Sequence, residues 1–109
     1  MKDGLKDKHR QSLIDIFAAN EHVERVVLFG SRAKVTFTLT SDVDIVLYGD
    51  DLTLTDHANL LEAIDALSIP QQVDILLHKS ITSPKLLKQI EKHGVEWYKK
   101  ALPKPGEPI

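Results

Sequence analysis

The chain contains no cysteine, so disulfides, thiolate nucleophiles and cysteine-based zinc or iron–sulfur centres are excluded. It has no apolar run near the ~20 residues that a membrane-spanning helix needs. Its opening, Met1-Lys2-Asp3-Gly4, leads into no signal-peptide apolar stretch. A cytoplasmic protein without membrane contact is expected. Nor is there an excess of positive charge: 14 Lys and Arg stand against 16 Asp and Glu, and a net charge of −2 argues against direct nucleic-acid binding by phosphate neutralisation. What remains is 109 residues, 42% apolar and 28% charged, the balance of one ordinary domain with a core. An enzyme this small is minimal and is expected to borrow part of its machinery from a partner.

The near-neutral total hides an asymmetry. From Ser41 to His78 there is no Lys or Arg but there are eight acids, Asp42, Asp44, Asp50, Asp51, Asp56, Glu62, Asp65 and Asp74. From Lys79 to Lys104 seven lysines face only Glu91 and Glu96. This describes either an acidic and a basic side of one fold, or carboxylates that converge on a cation.

Periodicity divides the chain into alternating segments. Lys6 to Ala19 sets Leu13, Ile14, Phe17 and Ala18 on one helical face. Val23–Phe29, Val43–Tyr48 and Val73–Leu77 are β-branched apolar runs and predict three strands. Thr55–Leu67 carries Ala58, Leu61, Ala63, Ile64 and Leu67 near helical spacing, with Pro70 behind it. Ser83-Pro84 is an N-cap and first-turn proline, Gly94 ends that helix, and Leu86, Leu87 and Ile90 give it an apolar face. Val95–Tyr98 reads as strand or helical turn, with Trp97-Tyr98 as a packing anchor. Residues 101–109, with three of the five prolines, read as a flexible tail beyond a single domain spanning 1–100. The order is α-β-(turn)-β-α-β-α, an α/β (α+β) fold with helices packed on one sheet. The Tyr48–Val73 connection is long enough for a crossover, which makes the second and third strands parallel.

Val43-Asp44-Ile45-Val46-Leu47 and Val73-Asp74-Ile75-Leu76-Leu77 nearly repeat each other. Parallel neighbours in matched register would put Asp44 and Asp74 side by side, about 5 Å apart. Asp42 lies two residues before Asp44 and leaves the same face. Three carboxylates crowded together repel one another, and a hard divalent cation such as Mg²⁺ or Mn²⁺ removes that penalty. In the plainer alternative Asp42 caps a turn and the other two pair with lysines. A second cluster is Leu28-Phe29-Gly30-Ser31-Arg32-Ala33-Lys34, where a strand ends, Gly30 turns and Ser31 begins what reads as a short helix. Such a turn offers backbone N–H groups and a hydroxyl to a phosphate, although neither GxxxxGK[ST] nor GxGxxG is present. Ten residues separate Ser31 from Asp42, so both clusters can share one crevice.

Gly30-Ser31, ten residues, Asp42-Val43-Asp44 and a later strand bearing Asp74 together resemble the signature of the polymerase-beta-like nucleotidyltransferase superfamily. Within it the length resembles the minimal nucleotidyltransferases (MNT) paired with HEPN-domain proteins. The resemblance runs from about Leu13 to Tyr98. It implies an α-β-α-β-α-β core with a mixed three-stranded sheet whose first two strands are antiparallel. It further implies that Asp42, Asp44 and Asp74 are catalytic and hold two Mg²⁺, with Mn²⁺ as a substitute. Gly30 and Ser31 would take the β- and γ-phosphates of ATP or another nucleoside triphosphate, and Arg32 or Lys34 would lend charge to them, although each also reads as a solvated helix residue. The implied reaction is transfer of AMP to a hydroxyl, a tyrosine of a HEPN toxin partner, with release of pyrophosphate. A hetero-oligomer with that partner is expected, and an antitoxin that neutralises the partner by contact alone is the alternative.

One stretch departs from the resemblance. Val35-Thr36-Phe37-Thr38-Leu39-Thr40 alternates with period two, reading as an extended arm that packs on the core or docks a partner. The five histidines show no ligand spacing and read as surface or boundary residues. Lys85, Lys88 and Lys92 read as a solvated helix face.

Overall fold

The three apolar runs become strands, and the computed structural model, which describes residues 3–34, 36, 38 and 41–100, adds a fourth. In chain order the elements are α1 (Asp7–Ala18), β1 (Arg25–Phe29), β2 (Val43–Tyr48), α2 (Leu54–Asp65), β3 (Val73–Leu77), a 3₁₀ turn at His78–Ser80, α3 (Pro84–His93) and β4 (Val95–Lys99). Val35, Phe37 and Leu39 of the expected arm and the tail 101–109 lie outside the described residues.

The sheet order is β3-β2-β1-β4. β1 is antiparallel to β2 and to β4, and β2 is parallel to β3, as the α2 crossover requires. The expected three-stranded sheet therefore gains Val95–Lys99 as an edge. The physical reason lies in β1, whose Val26-Val27-Leu28 core is buried on both faces and would otherwise end the sheet in an apolar edge. β4 covers it and brings Trp97 into the core.

Alternation along the strands separates two apolar layers. Val26, Leu28, Val43, Ile45 and Leu47 face Leu13 and Phe17 of α1 and Leu60 and Ile64 of α2. Val27 and Val46 face the other way, onto Ile90 of α3. Both faces are covered, which is why β1 and β2 read as unbroken apolar runs. The helix faces differ in detail from their periodicity. Ala18, Ala58 and Ala63 are exposed, while Leu60 turns inward, because the larger side chains set the phase. α2 also begins earlier than Thr55: Thr53 accepts from the Asp56 N–H and the Asp56 carboxylate accepts from the Thr53 N–H, a capping box legible as Thr-x-x-Asp. Ser83 accepts from the Leu86 N–H ahead of Pro84, as expected. Gly94 ends α3 with an ordinary φ of −61°. Its glycine is required by a close approach instead, since a Cβ there would lie 2.6 Å from Val27 Cγ1.

Candidate active site

Parallel pairing brings the two Val-Asp-Ile repeats into register: Val43 faces Val73, Asp44 faces Asp74, Ile45 faces Ile75. Adjacent strands stand about 5 Å apart, so Asp44 and Asp74 are cross-strand neighbours on the face opposite the α1–α2 core. Asp42 precedes β2 and is exposed; Asp44 and Asp74 are half-buried. Burial pushes the Asp44 carboxyl above its ordinary value, and the Asp74 and Asp42 carboxylates push it further. Among the described residues no ion pair includes any of the three, and Asp74 accepts only from Gln72 Nε2, at 3.1 Å. The plainer alternative, pairing with lysines, is absent from the described residues.

The Gly30 turn closes the site from the β1 side. Phe29 pairs with Asp44, so the chain turns directly over that carboxylate. Gly30 has φ +76°, and a Cβ on it would collide with Asp44 Oδ2. Both the left-handed backbone and the contact demand glycine. Beyond it Ser31 to Lys34 form turns rather than the expected short helix: the Lys34 N–H donates to Gly30 O at 3.2 Å and the Thr36 N–H to Ser31 O at 2.9 Å. Ser31 remains half-buried beside Gly30.

Arg32 is placed differently from its reading as a solvated residue. It is only 2% exposed. Nη1 donates to Asp3 O at 2.8 Å, and Nε and Nη2 both donate to Ser41 O, at 3.2 and 2.9 Å. Its charge is held inside the loop that leads to Asp42, which corrects the reading of Arg32 as a solvated helix residue.

A cavity of about 450 Å³ adjoins Asp44 and Asp74, lined also by Phe29, His57, Leu61 and Leu76. His57 Nε2 donates to Ile75 O on the open edge of β3, at 2.9 Å. In the sequence His57 reads only as a surface or boundary histidine. Only the crossover of α2 onto β3 carries it here, and no spacing marks that. A second cavity, about 460 Å³, lies at the far end of β2 beside stacked Tyr48 and His78.

The donor set is made of carboxylate oxygens, mutually repelling and without cationic partners among the described residues, and it fits a hard divalent cation such as Mg²⁺ or Mn²⁺. Among the described residues, no three Asp, Glu or His side chains are closed around one point. Asp44 and Asp74 are adjacent in register, and Asp42 lies two residues ahead of Asp44. No helix among the described residues is long and apolar enough to cross a membrane.

Comparison with known proteins points one way. Residues 11–101 match the sequence profile of the family described as "Polymerase beta, Nucleotidyltransferase". A Methanocaldococcus jannaschii protein named "Putative protein adenylyltransferase" is 34% identical over 86 residues, covering 77% of this chain and 82% of that one. A solved structure described as a "putative minimal nucleotidyltransferase" has 26% identity and a TM-score of 0.64, covering 87% of this chain and 95% of the other. A Shewanella oneidensis structure of a tri-AMPylated HEPN toxin with its MNT antitoxin has 18% identity and a TM-score of 0.66, covering 88% and 74%. At that identity the likeness is one of fold.

Proposed function

The chain belongs to the polymerase beta nucleotidyltransferase family, and from that membership we propose that it transfers AMP from ATP to a tyrosine hydroxyl of a HEPN-domain partner, releasing pyrophosphate. The observation that carries the proposal is the in-register pair Asp44–Asp74, with Asp42 two residues ahead and Gly30 backed against the Asp44 carboxylate. Asp42 and Asp44 would hold Mg²⁺ and Asp74 would complete the ligand set. When bound, the ions neutralise the charge that develops on attacking and leaving oxygens. Gly30 and Ser31 offer a backbone N–H and a hydroxyl to the β- and γ-phosphates. The acceptor oxygen attacks the α-phosphorus, the bond to pyrophosphate breaks, and the acceptor proton passes to Asp74. The cavity beside Asp44 and Asp74, with Phe29, Leu61 and Leu76 on its wall, has the apolar character to receive an aromatic acceptor side chain. The adenylyltransferase name of the M. jannaschii relative and the AMPylated toxin in the S. oneidensis complex support the donor and the partner class.

The test is transfer of label from α-labelled ATP with Mg²⁺, with and without a HEPN-domain protein encoded beside this one. Label on the neighbour that disappears with Asp44→Ala is expected. A stable complex that silences the neighbour without label, and does so equally with Asp44→Ala, would overturn the enzymatic reading in favour of neutralisation by contact.

A further inference from the structure

Asp42 is the one member of the carboxylate set that sits outside a strand, so something other than the sheet ladder must aim it. Its backbone is held on both sides. After it, the Val43 N–H donates to Gln72 O at 2.8 Å. Before it, Ser41 O accepts two N–H groups from the Arg32 guanidinium. Arg32 is buried, and its third donor is anchored on Asp3 O. Asp3 belongs to the segment preceding α1, where nothing in the sequence suggested a role. Its carboxylate, 2% exposed, accepts from both Nε and Nη2 of Arg10 on α1, Nε at 2.8 Å, and from the Leu5 N–H at 3.0 Å. Arg10 Nη2 also donates to Leu5 O at 3.0 Å, closing the segment onto the helix.

We propose that Arg32, anchored through Asp3 to Arg10, is a positioning relay that sets the direction of the Asp42 carboxylate against Asp44, making the segment before α1 part of the metal-binding machinery. The inference rests on the nucleotidyltransferase reading above. A buried guanidinium that commits two of its donors to the half-buried Ser41 carbonyl is costly, since a buried charge must keep its hydrogen bonds satisfied. That carbonyl lies one residue from a metal ligand, and outer-shell groups that orient a ligand commonly govern metal affinity. The relay also explains why the acidic Asp3 is buried: its charge is matched by Arg10, and both charges fix the peptide to which Arg32 donates.

The test combines two measurements on Arg32→Lys and Asp3→Asn. Lysine keeps the charge but not the fork, and Asp3→Asn loosens the anchor without touching Arg32, so the proposal survives if one of the two fails to fold. The first measurement is amide hydrogen exchange at Ser41, Asp42 and Val43 without metal. The second is Mn²⁺ binding in the presence of a non-hydrolysable ATP analogue. The relay requires faster exchange at these amides in each variant that folds. It also requires Mn²⁺ binding weakened about tenfold or more, with no further loss when Arg32→Lys is added to Asp42→Asn. Unchanged exchange, or a Mn²⁺ loss that persists undiminished in the Asp42→Asn background, would overturn it and leave a merely structural network. If wild type takes up no Mn²⁺ while exchange responds as required, the transferase reading fails and the mechanical link to Asp42 stands.

Discussion

Asp44 occupies a strand position where Ile45, Val46 and Leu47 beside it are all fully buried. A carboxylate there is desolvated and faces two others, which raises its affinity for a proton above the ordinary carboxylate range. The folded state then holds that proton more tightly than the unfolded chain does, so stability is lost as pH rises from the usual aspartate value through the raised one. Asp44→Asn removes the penalty. The variant is expected to melt at a higher temperature than wild type at pH 7, while transfer falls by more than the roughly 10–100-fold typical of outer-shell changes at metal sites. Thermal melts and labelled-ATP assays on the same preparation check both signs. Asp44 and its partner Asp74 were legible as residues because the Val-Asp-Ile repeat announces matched strands. His57 was not, since its place depends on how α2 lies over the β3 edge.

α2 is joined to the end of α1 by a polar knot whose members are far apart in sequence. His22 Nδ1 donates to Asp56 Oδ2 at 2.8 Å, and the same carboxylate accepts from the Thr53 N–H at 3.0 Å and from Asn20 Nδ2 at 3.3 Å. The hydrogen bond to Asp56 raises the His22 imidazole above its ordinary value, and His22 together with the Thr53 N–H holds the Asp56 carboxyl far below its own. The signs differ for the two groups. The His22 contribution is full below the ordinary histidine value and is lost as pH rises through the raised one; the Asp56 contribution is full above the ordinary aspartate value and is lost as pH falls through the depressed one. Stability from this pair is therefore greatest between about pH 4 and 6.5. Wild type is expected to lose melting temperature as pH rises above about 6.5 through the raised His22 value, and His22→Gln to flatten that slope. An unaltered slope in the variant would assign the titration elsewhere. The Thr53–Asp56 half of the knot is a local capping box within three residues, which the helix reading from Thr55 passes over; the His22 half spans 34 residues and has no local signal.

For the whole molecule the decisive arrangement is the sheet order β3-β2-β1-β4, which keeps both apolar strands interior and leaves the Asp74-bearing β3 at an edge. β4 contributes through Trp97, 9% exposed in the main core. Trp97→Ala is expected to cost about 3–5 kcal/mol, a large share of the roughly 5–15 kcal/mol that holds a typical domain together. The Asp44–Asp74 register belongs to β2 and β3, away from that edge. A lower urea midpoint with retained Mn²⁺ affinity in the folded fraction is the expected result, and loss of metal binding ahead of unfolding would contradict it.

The chain's own pattern determined which segments are strands and helices, that β2 and β3 are parallel, and that Asp44 meets Asp74. These follow from side-chain alternation, capping residues and the length of one connection, all local quantities. Tertiary structure alone decided that Val95–Lys99 joins the sheet, that Arg32 turns inward to Ser41 and Asp3, and that His57 reaches the β3 edge. Those outcomes depend on satisfying strand edges and side-chain donors across sequence separations of 9 to 71 residues, which no local pattern records.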